Sequence, residues 1–370
     1  MTEVEIEVEP SEAGFDAKRL HRLGDHLDKY VDEGHLPGVN VLVSREGKIV
    51  YRHMYGQRDM ERALPVEADT IYRFYSMTKP ITSVAIMQLY ERGVFQLKDP
   101  ISNWIPSFAE SQVFVGGDAE NPQTREASRA ISIHDLLTHT SGLTYFFHMA
   151  HVVDEMYRRA GFDWTKSPGD LESQCDILAS LPLLFDPGTE WNYSYSTDVL
   201  GRLIEVMSGL SLDAYFKRNI FEPLGMVDTG FSVPSEKRER FASCYYPNGE
   251  AKQAALLDDA QRSRYLHEPP AFSGGGGLVS TLADYHLFTQ ALRNGGSLDG
   301  QRIVGRKTLD FMTSNHLPGG VDLTEYGRPL FSETAYDGVG FGLGFSVVID
   351  PAKAKVLSQK GEYAWGGAAS

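Results

Sequence analysis

The sequence predicts an α/β lobe plus an all-α lobe, the first built from both ends of the chain and the second inserted between them. Three observations lead there. Strand-like segments lie towards both termini, helical periodicity dominates the stretch between, and 370 residues exceed what one small core can use. The boundaries implied are residues 1–94 and 271–370 for the α/β lobe and 95–270 for the helical lobe.

From the N-terminus, Asp16 is placed to cap a helix over residues 16–33. Leu20, Leu23, Leu27, Tyr30 and Val31 recur there at helical spacing, and Gly34 stops it. V-N-V-L-V, the turn R-E-G-K and I-V-Y-R-H-M-Y then read as a β-hairpin over 39–55. A second helix is expected from Ser76 to about Arg92. Its apolar residues (Met77, Ile81, Val84, Ala85, Ile86, Met87, Leu89) go nearly all the way round, which predicts burial in the middle of the protein. The helical stretch carries a capping box from Ser132 to Asp135, and T-D-V-L-G-R-L-I-E-V-M-S is a helix ended by Gly209. Beyond F-S-G-G-G-G-L-V-S comes a second capping box, Thr281 to Asp284. G-F-G-L-G-F-S-V-V-I-D and K-V-L-S-Q-K-G-E-Y-A-W-G-G are strand-like, and no internal repeat is visible.

A net charge of −15 works against nucleic acid, whose phosphates need a basic surface, and against docking to anionic lipid. No apolar run approaches the roughly 18 residues of a membrane span. M-T-E-V-E-I-E-V-E-P has neither a basic nor an apolar leader region, so a signal peptide is not expected. Cys175 and Cys244 show neither metal spacing nor a disulfide framework, and read as unpaired thiols of a cytoplasmic protein.

The candidate chemistry begins with S-M-T-K, residues 76–79. Positions i and i+3 share a helix face, so the Lys79 amine can approach the Ser76 hydroxyl. At a helix start, free N–H groups and the dipole favour negative charge developing on Ser76. A desolvated lysine can serve as the base that a serine nucleophile needs. The mundane alternative is a capping serine followed by a surface lysine, and S-x-x-K arises by chance about once in such a chain. A lysine in an apolar, buried helix is costly unless it has a task, which favours the functional reading. Competing signatures are absent from the sequence. There is no G-x-S-x-G elbow and no H-E-x-x-H, and His134/His139 and His148/His151 have no third ligand at a recognisable spacing. S-G-G-G-G at 273–277 lacks the G-K-[ST] of a phosphate loop and reads as a turn or a close backbone contact.

Six segments in order resemble the β-lactamase-related serine hydrolases, the superfamily of class C β-lactamases and penicillin-binding proteins, and in particular the family VIII carboxylesterases. They are F-Y-S-M-T-K (74–79), L-L-T-H-T-S-G-L (136–143), P-G-T-E-W-N-Y-S-Y-S (187–196), I-F-E-P-L-G-M-V-D-T (220–229), G-G-G-G-L-V-S-T (274–281) and W-G-G (365–367). The resemblance implies a β-lactamase/DD-peptidase-like fold, an antiparallel sheet flanked by helices with an inserted helical lobe. It makes Ser76 the acylated nucleophile, Lys79 its partner and Tyr193 the candidate general base, an adjacent ammonium being expected to lower the phenol's pKa. Tyr195 stands where lactamases carry an Asn. Trp365-Gly366-Gly367 replaces a K-T-G element whose cation binds a substrate carboxylate, and an indole suits an apolar ester group instead. The oxyanion hole maps to the N–H groups of Ser76 and Ala368.

The resemblance thus implies a serine carboxylesterase for small-molecule, short-chain esters, with neither metal nor organic cofactor. A β-lactamase, a D-amino-acid peptidase or an acyltransferase of the same superfamily remain alternatives, and a non-catalytic binding relative is a third class. Family members continue past W-G-G with further strands and a helix, whereas this sequence stops at Ser370. A further C-terminal segment or an additional polypeptide is therefore expected to complete the sheet.

Overall fold

The computed structural model describes residues 5–164, 168–328 and 336–368. Helix α1 spans Ala17–Asp32, and the Asp16 carboxylate accepts the Arg19 N–H at 3.1 Å. Against it packs an antiparallel hairpin, β1 (Gly38–Arg45) and β2 (Lys48–Asp59), paired from Gly38/Gly56 to Arg45/Lys48 with a bulge at Val43/Ser44. After β3 (Ile71–Arg73), a 3₁₀ turn over Tyr75–Met77 leads into α2 (Thr78–Glu91). Ser76 thus lies in the turn ahead of α2, not in its first turn as expected. The cause is Tyr75, whose φ of +44° is a left-handed conformation that delays the regular helix. All twelve residues from Thr78 to Leu89 are buried, as the all-round apolar pattern predicts.

Helix α3 (Ile133–Leu137) carries the complete Ser132/Asp135 capping box. Helix α4 (Ser196–Ser208) packs across α2 and ends at Gly209 with φ +71°. Strand β4 (Val279–Thr281) pairs antiparallel with β3 and feeds α5 (Leu282–Arg293). The second capping box forms only by half. Thr281 accepts the Asp284 N–H, but the Asp284 carboxylate takes the Asp228 N–H at 2.7 Å and the Thr229 hydroxyl at 2.8 Å. The carboxylate ties α5 to a distant turn instead of closing its own helix end.

The stretch expected to be helical also holds two hairpins, Gln112–Gly117 with Pro122–Glu126 and Cys244–Asn248 with Gln253–Asp258. Towards the C-terminus, β5 (Val339–Phe341), β6 (Ser346–Val348) and β7 (Tyr363–Ala364) form an antiparallel ladder in that order. Among the described residues it shares no strand pairing with β1–β2. The chain end at Ser370, on which the expectation of a completing segment rests, lies outside the described residues. One large apolar core runs through α2 and α4. A smaller one, with Ile71, Val233, Phe241, Tyr265 and Val279, underlies β3 and β4. No helix among the described residues is long and apolar enough to cross a membrane.

The turn between β5 and β6 is pressed onto α2. At Gly344, φ is +93° and an added Cβ would stand 2.0 Å from the Ser83 hydroxyl. Gly344→Ala is expected to cost about 2–4 kcal/mol, combining left-handed strain with overpacking. Gly209→Ala shares the positive φ but meets nothing within 4 Å, and should cost only about 1 kcal/mol. Urea unfolding of both variants checks this, and equal losses would show that the contact with α2 contributes nothing.

Candidate active site

Ser76 and Lys79 meet as the i, i+3 spacing requires, with Lys79 Nζ 3.2 Å from Ser76 Oγ. Tyr193, 117 positions along the chain, donates its phenol to the same Oγ at 2.6 Å. Lys79 is 2% exposed, and its amine donates to the Gly275 carbonyl at 2.6 Å. The rings of Tyr193 and Tyr145 flank it, with centroids 4.5 and 5.3 Å away. Burial pulls the Lys79 pKa down to about 7 against the opposing charge of Asp198.

Tyr193 departs from the sequence expectation. Burial pushes its phenol up, not down, and this outweighs the hydrogen bond to Ser76 and the nearby Trp365 indole, which both pull it back. A fully enclosed ring loses more phenolate solvation than its neighbours restore. The two shifts favour a neutral phenol on Tyr193 and ease deprotonation of the Lys79 ammonium.

Asp198, in the first turn of α4, belongs to the site and was missed by sequence reasoning. It is buried, and burial raises its pKa. It accepts from the Ser273 hydroxyl at 2.5 Å and from the Gly275 N–H at 3.2 Å. Gly275 thus offers its N–H to the carboxylate and its carbonyl to the lysine. A Cβ at Gly275 would fall 2.3 Å from Asp198 Oδ2, so the glycine run provides close backbone packing, as read, and not phosphate binding. The only sequence signal for Asp198 is a polar residue on the apolar side of a helix.

Trp365 stands against Tyr193, ring centroids 5.4 Å apart. Gly367 crosses the serine turn so closely that a Cβ would sit 2.4 Å from the Phe74 carbonyl. Gly366, Gly367 and Ala368 consequently line the same cleft as Ser76. Tyr195 lines it too, buried at the start of α4 with its ring 4.5 Å from that of Tyr145. His139 is buried beside Tyr193 and pairs with the Ser194 hydroxyl at 3.2 Å, which makes it a packing and hydrogen-bonding group. The cleft encloses about 900 Å³, at the upper end of the range for drug-sized ligands. No cluster of three metal-binding side chains occurs among the described residues.

A serine in a turn before a buried helix, with a lysine on that helix and a tyrosine across from it, is the arrangement of an active-site serine hydrolase. A sequence model of the Beta-lactamase family matches residues 23–369, and the chain belongs to that family. It is 31% identical to Esterase EstB of Burkholderia gladioli over 97% of this chain and 88% of that protein. It is 32% identical to Monacolin J acid methylbutanoyltransferase of Aspergillus terreus, over 92% of this chain and 83% of the relative. Among solved structures it resembles EstCE1, a hydrolase with promiscuous acyltransferase activity, at TM-score 0.77 and 27% identity, over 95% of this chain and 87% of that one.

Ser76, Lys79 and Tyr193 share one hydrogen-bonded unit, so their losses should not add. Lys79→Ala and Tyr193→Phe are each expected to lower kcat/KM for an activated ester about 10³-fold, and the double variant little further. A full double-mutant cycle measures this. Additive losses would separate the two residues into independent roles.

Proposed function

We propose that the protein is a carboxylesterase that hydrolyses uncharged esters through an acyl-enzyme on Ser76. The observation that carries this reading is Trp365 beside Tyr193, an indole in place of the cation that would hold a substrate carboxylate.

With Lys79 neutral, one amine N–H keeps the Gly275 carbonyl and the lone pair turns to Ser76. Ser76 then donates to Lys79 while accepting from Tyr193. As Oγ attacks the ester carbon, its proton passes to Lys79 and the oxyanion faces the N–H groups of Ser76 and Ala368. Collapse breaks the alkoxy C–O bond, the alkoxide takes the Tyr193 proton, and the proton on Lys79 restores the phenol. Water then attacks the acyl-enzyme by the reverse sequence and releases the acid. An alcohol replacing that water would give acyl transfer, a second reading favoured by the names of two of the relatives above. Two buried, unpaired cysteines accord with a cytoplasmic location.

Comparing kcat/KM for p-nitrophenyl butyrate, a penicillin and a D-alanyl peptide tests the substrate class. Losing one charge-assisted contact to the carboxylate predicts a preference for the ester of roughly 100-fold. A β-lactam value equal to the ester value would overturn the reading of Trp365.

The base assignment carries a pH signature. The lowered Lys79 pKa means that the ammonium dominates below about 7 and the active amine above it. The kcat/KM for the ester should therefore rise tenfold per pH unit up to about 7 and then level off. Lys79→Arg, a permanent cation, should be inactive across the whole range. A limb that keeps rising far above neutrality would give the base role to Tyr193.

A further inference from the structure

From the reacting groups, three aromatic rings lead outward face to face. Tyr145 touches Tyr193 edge-on at 5.1 Å and lies below the Lys79 amine. Phe147 stacks on Tyr145 at 4.6 Å and 18°, and Trp164 stacks on Phe147 at 4.7 Å and 16°. Phe146 braces the outer two edge-on, at 5.2 Å from each. All four line the cleft, and Trp164 is 55% exposed. Large exposed aromatics held rigidly by other rings lose little entropy on meeting a ligand, so such a surface is suited to recognition.

The direction of the ladder assigns its occupant. In the proposed reaction the leaving oxygen must reach the Tyr193 proton, so the alcohol half lies along the wall that Tyr193 shares with Tyr145. A short aliphatic alcohol would leave most of the 900 Å³ cleft empty. We propose that Trp164 is a specificity-determining residue whose ring stacks on a flat, aromatic alcohol, making aryl and fused aromatic alcohols the preferred leaving groups. Its role as a leaving-group subsite rests on the esterase reading, but ring binding itself does not need turnover.

The test separates the two. Calorimetric binding of 2-naphthylmethanol and of its saturated decahydro analogue, equal in size but not flat, is measured on the Ser76→Ala protein. The same pair is measured on Ser76→Ala carrying Trp164→Ala or Trp164→Phe. The flat alcohol should bind more tightly, and the ratio of the two affinities should fall about fivefold with Trp164→Ala and recover with Trp164→Phe. Because Trp164 is largely exposed, the variant should melt with its parent, and the ratio cancels any uniform loss. No preference for the flat alcohol, or one that survives Trp164→Ala, would overturn the proposal.

A second arm compares hydrolysis of the two corresponding butyrates by the Ser76 protein. Both form the same butyryl-enzyme, so Trp164→Ala should act on the ratio of kcat/KM values and not on the ratio of kcat values when deacylation is limiting. Preserved ring binding without turnover of either ester would support the subsite while removing the esterase reading.

Discussion

The site depends on how one charge is buried. Lys79 is enclosed in a helix whose every neighbour from Thr78 to Leu89 is also buried, and an ammonium there loses several kcal/mol of hydration. A direct carboxylate partner would restore that energy and fix the amine as a cation, useless as a base. The fold places a peptide between them. Asp198 takes the Gly275 N–H, and Gly275 gives its carbonyl to Lys79, so the negative charge acts at one remove. The outcome is a lysine near neutrality at about pH 7, solvated by one carbonyl and two ring faces.

The same enclosure acts oppositely on Tyr193. Excluding water raises a phenol and lowers an ammonium, so one apolar pocket pushes the two groups towards a neutral pair. Environment, more than mutual charge, therefore suits the amine to accept a proton and the phenol to donate one, as the proposed mechanism requires. A phenolate stabilised by a neighbouring ammonium would need a wetter or more highly charged site than this one.

What could be read from the sequence follows from range. Ser76 and Lys79 lie three positions apart, and the all-round apolar pattern of α2 announced the burial of Lys79. Tyr193 was reachable only through resemblance, because nothing in its own segment distinguishes it among 18 tyrosines. Asp198 was not legible, since its role arises from Ser273 and Gly275 more than 70 positions away. The upward shift of Tyr193 was also hidden, because desolvation is a property of the assembled pocket. Local rules failed where distant groups competed. Asp284 forms half a capping box because Asp228 and Thr229 offer better partners, and Tyr75 delays α2 through backbone strain that no propensity encodes. The hairpin at 244–258 was missed although its Asn248-Gly249 turn is a local signal, because strands this short carry too little alternation to announce themselves.

The glycine run explains how so many requirements meet at one helix. Two side chains one turn apart on α2, Lys79 and Thr82, donate to the successive carbonyls of Gly275 and Gly274. Thr78 accepts the Leu278 N–H, and Tyr285 donates to the Met77 carbonyl. The segment leading into β4 is thereby stitched along the face of α2 that carries Lys79. A side chain at 274 would strike the Thr197 carbonyl at 2.7 Å, so α4 fixes this approach from the other side. Lys79 and Asp198 are locked by backbone contacts that tolerate almost no change. The walls at Trp365 and Trp164 contribute none of those contacts. On the proposed mechanism, substrate preference can therefore vary on this scaffold while Lys79 and Asp198 stay fixed, because the two are held by different parts of the chain.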